Sequence, residues 1–252
     1  MFNPFNHPIL VLLLSLPAFW ISAQIGAAFK KRQRDRENDG HDDFDILLGA
    51  TLTLLALIIG FTFSMAVSRY DQRKNLEAQE ANAIGTEYVR VHLLPAGDAA
   101  RVRVLLKSYL DQRILYYKSP DGEPLRQIDA RTAQLQTQMW SAVETPAATP
   151  TPVTALIVAG MNDVLNSQGY TQAAWWNRIP VAAWTLLIAI SIFCNLLIGY
   201  RARGRGAFLF LILPIALSIS LFLIADIDSP RRGVIRVLPQ NLESLAESLI
   251  SQ

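Results

Sequence analysis

Four stretches of about 20 residues contain no Lys, Arg, Asp or Glu, and they constrain the fold more than any other feature. They run approximately over residues 8–29, 46–67, 180–200 and 207–225. A bilayer core about 30 Å thick needs roughly 20 mostly apolar residues in a helix. A soluble helix of that length would carry a charged stripe on its outer face, which these stretches lack. The sequence therefore predicts an all-α integral membrane protein with four transmembrane helices.

Composition and motifs exclude several other classes of protein. Hydrophobic residues make up 51% of the chain and charged residues 17%, and the net charge of +2 gives no reason to expect a nucleic-acid partner. The single cysteine, Cys194, rules out an internal disulfide and a thiolate cluster. His7, His41 and His92 lie in separate segments, and no nucleophile elbow, phosphate loop or dinucleotide motif is present. We expect no enzyme activity, no catalytic residue, no cofactor and no metal site.

Basic residues in the short loops predict the orientation. The first 29 residues contain no Lys or Arg, which favours a retained anchor over a cleaved signal peptide. Two loops then carry basic clusters, namely Lys30, Lys31, Arg32, Arg34 and Arg36 after the first span, and Arg201, Arg203 and Arg205 after the third. The positive-inside rule assigns both loops to the cytoplasm of a bacterial inner membrane. Both termini and residues 68–179 then lie outside the cytoplasm. Basic residues on the opposite side belong to longer segments, where their bias weighs less.

The polar segments predict four regions. Residues 1–67 form a first transmembrane pair with a basic loop, 68–179 a helical extramembrane domain inserted between spans two and three, 180–225 a second transmembrane pair, and 226–252 a tail with a short amphipathic helix. This last helix either lies on the bilayer surface or closes the helical bundle. Aromatic residues that flank the third span are expected to act as interfacial anchors, and they are Trp175, Trp176, Trp184 and Tyr200.

Periodicity in the inserted domain is helical throughout. The second span continues as one long helix past Val67, with Ala78, Ala81 and Gly85 on the predicted packed face and Arg73, Glu80 and Glu87 opposite. A second helix is capped by Asp98, a third covers about 125–143, and a fourth is capped by Thr151 and stopped by Gly169. These helices predict an antiparallel bundle.

Polar residues concentrate at the ends of the second and fourth spans. Even-numbered spans leave the membrane on the same side, so we expect the two groups to face one boundary; they comprise Arg69, Asp71, Arg73, Glu77, Glu80, Glu87, Arg90, Asp226, Asp228, Arg231 and Arg232. One interpretation is an ion-pair clasp that joins Glu77 or Glu80 to Arg231 or Arg232. The other is an electrostatic vestibule for ions that enter a pore lined by the second span.

Two of these segments resemble a known family. The run GFTFSMAVSRYDQRKNLEAQEANAIGTEYVR, from Gly60 to Arg90, and DSPRRGVIRV, from Asp228 to Val237, are similar to the bestrophin-like family of largely uncharacterised bacterial membrane proteins. The resemblance implies an α-helical homo-oligomer related to the bestrophin anion and cation channels. In those channels the second helix lines a narrow apolar neck, which makes Ile58, Phe61 and Met65 candidate neck residues here.

This sequence also departs from the bestrophin pattern. Bestrophins have a Trp pair after their Tyr-Asp-Arg element, whereas this chain reads YDQRKN from Tyr70 to Asn75. Bestrophins place their large helical region in the cytosol, opposite to the orientation that the basic loops predict.

The sequence supports two functional hypotheses. The first is an oligomeric ion channel in the lipid bilayer, passing inorganic ions through a pore lined by the second span. The alternative is a non-conducting envelope scaffold or sensor that acts through its helical domain. Span interiors without ionisable groups argue against a proton-coupled transporter.

Overall fold

The computed structural model describes residues 4–33, 41–201 and 209–250. Within these ranges the secondary structure is helical and no strand occurs. The helices are α1 (Pro8–Gln33), α2 (His41–Arg90), α3 (Ala96–Lys118), α4 (Glu123–Ala147), α5 (Pro152–Trp176), α6 (Val181–Arg201), α7 (Leu209–Asp228) and α8 (Gln240–Ile250). Short 3-10 turns cover Pro4–Asn6 and Val91–Leu93. Part of the basic clusters, namely Arg34, Arg36, Arg203 and Arg205, lies outside the described residues.

Four described segments are long and apolar enough to cross a bilayer. They are Pro8–Lys30, Phe44–Leu93, Pro152–Arg201 and Leu211–Asp228. Each contains one of the apolar stretches found in the sequence, in α1, α2, α6 and α7 respectively. The prediction of an all-helical membrane protein with four long apolar helices is confirmed.

The chain divides into two compact units. The first, here called the span unit, comprises Met1–Ser68 and Arg178–Ile235. The second, the bundle unit, comprises Arg69–Asn177 and Arg236–Gln252. The C-terminal tail is thus shared between the two units, and α8 belongs to the bundle unit.

Close helix packing organises the span unit. Helix α1 packs against α6 and α7, and two glycines allow the closest approach. A Cβ atom on Gly199 would lie 2.7 Å from the carbonyl carbon of Ala23 and nearer still to its oxygen. A Cβ on Gly26 would lie 2.9 Å from the backbone nitrogen of Tyr200 and would overlap the carbonyl oxygen of Leu196. Small residues at such crossings let membrane helices approach at backbone distance.

Polar contacts tie together the helix ends at one side of the span unit. The Arg201 guanidinium, at the end of α6, donates to both oxygens of Asp45, near the start of α2, at 2.5 and 2.6 Å. Lys30, near the end of α1, donates to the carbonyl of Arg201 at 3.3 Å. The segments on either side of the first basic loop and the segment that precedes the second therefore meet at this side.

The core of the bundle unit is built from α2 beyond Ser68 together with α3, α4, α5 and α8. The apolar face of α3 is buried, including Val102, Leu106 and Tyr109. Helix α8 contributes Leu242 and Leu249 to this core. The C-terminal helix therefore closes the helical bundle, which is one of the two alternatives that the sequence left open.

The caps and ends of the bundle helices agree with the sequence in part. Thr151 caps α5 through a reciprocal pair of hydrogen bonds with Thr154, as its position before Pro152 predicts. Helix α5 does not stop at Gly169 but continues to Trp176, because a glycine inside a helix costs only about 1 kcal/mol when tertiary packing supports it. Asp98 makes no cap, since α3 begins at Ala96.

Candidate functional site

The candidate neck residues lie on a part of α2 that the rest of the chain leaves largely uncovered. Of the most apolar 18 residues in the segment Phe44–Leu93, only 11% are buried, against 28%, 33% and 50% in the other three candidate membrane spans. Phe61 is 65% exposed and Met65 40% exposed, while Ile58 is half-buried. The narrow stripe that does pack within the structure contains Leu55, Thr62 and Ala66. Two of the three candidate neck side chains are therefore open to lipid, water or another protein chain.

Arg73 and Glu77, which follow on α2, hold the ends of two other helices. Arg73 donates to the carbonyls of Ala174 and Asn177 at 3.2 and 3.1 Å, at the C-terminal end of α5. Glu77 accepts from the backbone N–H groups of Asn241 and Leu242 at 2.9 and 3.0 Å, at the N-terminal end of α8. Helix C-terminal ends carry partial negative charge and N-terminal ends partial positive charge, so each contact pairs opposite charges.

Glu80 lies at the centre of a fully buried polar cluster. Its carboxylate accepts from the Arg113 guanidinium of α3, and neither side chain is exposed. The hydroxyls of Tyr117 and Thr171 donate to the second carboxylate oxygen at 3.3 and 3.2 Å. Three helices, α2, α3 and α5, thus meet at one carboxylate.

The charge on Glu80 also acts on nearby tyrosines. Burial, reinforced by the Glu80 carboxylate, raises the pKa of both Tyr109 and Tyr117 above the ordinary range, so both hydroxyls stay protonated. For Arg113, burial is the largest single influence and would lower the pKa, but Glu80, Tyr109 and Tyr117 together outweigh it, so the net direction is upward. Arg113 therefore stays cationic, and the two tyrosines stay neutral.

Both carboxylates of the predicted ion-pair clasp have partners within the bundle unit. Glu80 accepts from Arg113, and Glu77 accepts from backbone and side-chain N–H groups of α8. The face of α2 that carries Arg73, Glu80 and Glu87 was predicted to lie opposite the packed one, yet each of these side chains is at most 1% exposed. The physical reason is that α3 and α5 pack on the charged face, through Arg113 and Thr171, while α8 packs near the small-residue face at Gly85.

Glu87 differs from the other buried carboxylates of α2. Its side chain has no exposure, and neither oxygen has a hydrogen-bond partner. It lies 20 residues beyond the apolar stretch that ends at Val67, in the bundle unit. Burial raises the pKa of Glu87 to about 8, with Arg90 opposing this shift and Asp163 adding to it. At neutral pH this carboxyl is therefore mostly protonated.

The acidic residues at the end of α7 organise the following turn. Asp226 accepts from the N–H groups of Val234 and Ile235 at 2.7 and 2.8 Å. Asp228 accepts from the N–H of Ile179 at 3.3 and 3.1 Å. Both aspartates are buried, so their role in the structure is to hold backbone N–H groups.

The remaining candidate vestibule residues are more accessible. Arg232 contacts His7 within the span unit, and Asp71 is exposed. The other three, Arg69, Arg90 and Arg231, are half-buried. Among the described residues, no three His, Cys, Asp or Glu side chains are grouped so that they could hold a metal ion.

Sequence reasoning missed the partners of the α2 carboxylates. Arg113 occupies a position in the apolar stripe of α3 with Leu106, Tyr109 and Leu110, and a charge in such a stripe indicates a buried partner. That signal was available in the sequence. Thr171 and Asn241 lie 91 and 164 residues from the α2 residues they contact, and no local pattern points to them.

Most of the chain matches a known protein family. The family model for the bestrophin-like domain matches residues 13–242. The chain belongs to the bestrophin-like family. No curated protein matches it in sequence.

Solved structures of bestrophin homologues have the same fold. A crystal structure of a bacterial bestrophin homologue from Klebsiella pneumoniae aligns with a TM-score of 0.66 and 18% identity, over 96% of this chain and 97% of that chain. A point-substituted form from Klebsiella pneumoniae gives a TM-score of 0.68 and 16% identity, over 95% of this chain and 96% of that one. At this identity the likeness concerns the fold, which this bestrophin-like chain shares over nearly its whole length.

Proposed function

We propose that this bestrophin-like protein is a homo-oligomeric ion channel in which α2 lines the pore. Family membership and the shared fold support the proposal. The observation that carries it is the exposure of the apolar part of α2, where 11% of the most apolar window is buried. A second copy of the chain and a central pore would together account for that uncovered surface.

The chemistry of the exposed face of α2 favours a pore over lipid alone. Phe61, Ser64 and Ser68 are spaced three and four residues apart and share one side of the helix. All three are exposed. Hydroxyl groups gain little from lipid, whereas a water-filled pathway can hydrate them. Phe61 is the apolar member of this set, and apolar constrictions can gate ion flow by excluding water.

We also infer the arrangement of the chain in a bacterial inner membrane. The bundle unit is then the extramembrane domain inserted between the second and third spans, and it lies outside the cytoplasm with both termini. The contacts among Lys30, Asp45 and Arg201 support the placement of both basic loops on one side. A cysteine-free variant, Cys194→Ala, with single cysteines placed near Arg34 or near Gln136 tests this. An impermeant reagent added to intact cells should label only the position near Gln136, and the reverse pattern would place the bundle unit in the cytosol.

Ion flux into liposomes tests the channel. We expect purified protein to pass ions under an imposed voltage and to be oligomeric by light scattering in detergent. Phe61→Ala should raise the flux about twofold or more, since it removes an apolar constriction. Phe193→Ala is the matched control, because Phe193 is 47% exposed but lies on α6. A monomeric protein, or one without flux, would leave the scaffold or sensor as the better description.

A further inference from the structure

Glu87 is a buried acidic side chain of α2 that makes no hydrogen bond. Arg73, Glu77 and Glu80 are equally buried on the same helix, and each has at least two polar contacts in the bundle unit. Both oxygens of Glu87 lack a partner. Polar partners therefore satisfy three of these side chains and leave the fourth without a hydrogen bond.

The carboxyl of Glu87 lies directly against the backbone of α5. A Cβ atom on Gly160 would lie 2.9 Å from Glu87 Cδ, 2.7 Å from Arg90 Nη1, and would overlap the nearer carboxyl oxygen. Gly160 thus provides the space in which the carboxyl sits, and its neighbours Ile157, Met161 and Val164 are buried apolar residues. Burial without a hydrogen-bond partner favours the uncharged carboxyl, and this effect outweighs the nearby Arg90 guanidinium, which favours the ion.

We propose that Glu87 is a proton-binding site through which pH controls the contact between α2 and α5. When the carboxyl is protonated, the two helices pack together at Gly160. When it is ionised, the charge favours separation of the helices and entry of water. The charged groups that act on it are Arg90, on its own helix, and Asp163, on α5, and they act in opposite directions.

Linkage fixes the direction and size of the effect. The pKa of Glu87 is about 8 in the packed state, against an ordinary value of 4.5 once the contact opens and water reaches the carboxyl. Opening should therefore become about ten times more frequent per pH unit between pH 4.5 and about 8, and level off above that. Packing is tightest below pH 4.5 and weakest above pH 8. This inference does not depend on whether the protein conducts ions.

Hydrogen exchange of the full-length protein in lipid nanodiscs measures this opening. We expect amides of residues 157–164, after correction for the intrinsic exchange rate, to exchange about tenfold faster per unit from pH 5.5 to 7.5. Glu87→Gln, which keeps the shape but cannot ionise, should abolish that dependence. Glu144→Gln, an exposed carboxylate on α4, is the matched control and should behave as wild type. A pH-independent wild type, or an unchanged dependence in Glu87→Gln, would overturn the proposal.

Infrared titration of the wild-type protein provides a second measurement that needs no variant to fold. Glutamate-labelled protein should show the carbonyl band of a protonated carboxyl at pH 7, and the band should disappear with a midpoint near 8. Where Glu87→Gln is recovered, that band should be absent from it. No protonated glutamate at pH 7 in the wild type would overturn the proposal.

Discussion

Substitution of Gly199 by alanine should destabilise the span unit. The added Cβ would lie 2.7 Å from the carbonyl carbon of Ala23, whereas ordinary contact begins at 3.4 Å, so α1 and α6 would have to separate by at least 0.7 Å. The atom that obstructs the Cβ is backbone, which cannot rotate away as a side chain can. Overpacking of this kind costs about 1–3 kcal/mol, partly offset by the better helix propensity of alanine, up to about 1 kcal/mol.

The expected result is a lower melting temperature. A net loss of about 1–2 kcal/mol corresponds to roughly 2–8 °C for a chain of this size. Thermal unfolding of the detergent-purified protein, followed by the loss of its oligomer or monomer peak in size-exclusion chromatography, measures the shift.

The matched control is the same substitution at Gly49 of α2, where an added Cβ meets no atom within 4 Å. Gly49→Ala should leave the melting temperature unchanged or raise it slightly. Equal melting temperatures for Gly199→Ala and Gly49→Ala would refute the assignment of Gly199 to a backbone-distance crossing.

Two further substitutions address the bundle unit. Glu80→Gln leaves Arg113 buried without a counter-charge and should lower the free energy of unfolding by about 3–5 kcal/mol. A double variant, Glu80→Leu with Arg113→Met, should recover part of the lost melting temperature. A single variant as stable as wild type would contradict the buried pair. Glu77→Gln removes one of the oxygen acceptors that Asn241 uses and should weaken the docking of α8 by about 1–2 kcal/mol. Faster cleavage of α8 by a glutamate-specific protease would measure this loss. Cleavage at the wild-type rate would contradict the assigned contact.

Much of the fold follows from local sequence patterns. The four apolar stretches predict the long apolar helices because a charge-free run of 20 residues has few alternatives to a membrane span. The cap at Thr151 is equally local, since Thr followed by Pro presents its hydroxyl to the first turn. The end of α5 was missed because packing, not the helix propensity of Gly169, decides where that helix stops.

The candidate site could be predicted only in part, because long-range partners decide it. The sequence indicates that charges concentrate on α2, but it does not indicate that Arg113 pairs with Glu80. Trp175 shows the same limit. Its position before the third span predicts an interfacial anchor, yet it is 4% exposed and packs on Tyr116 and Tyr117 in the bundle core.

The partners of α2 also set an order in which the bundle unit can be completed during synthesis. Glu80 receives a hydrogen bond from Thr171, 91 residues later, and Glu77 from Leu242, 165 residues later. Ionised carboxylates are strongly unfavourable when buried without partners, so Glu77 and Glu80 should stay hydrated until those residues leave the ribosome. The bundle core therefore closes only after α8 has been made. Until then the nascent chain exposes α2 and α3, and this interval is when chaperones or partner chains have the best access to them.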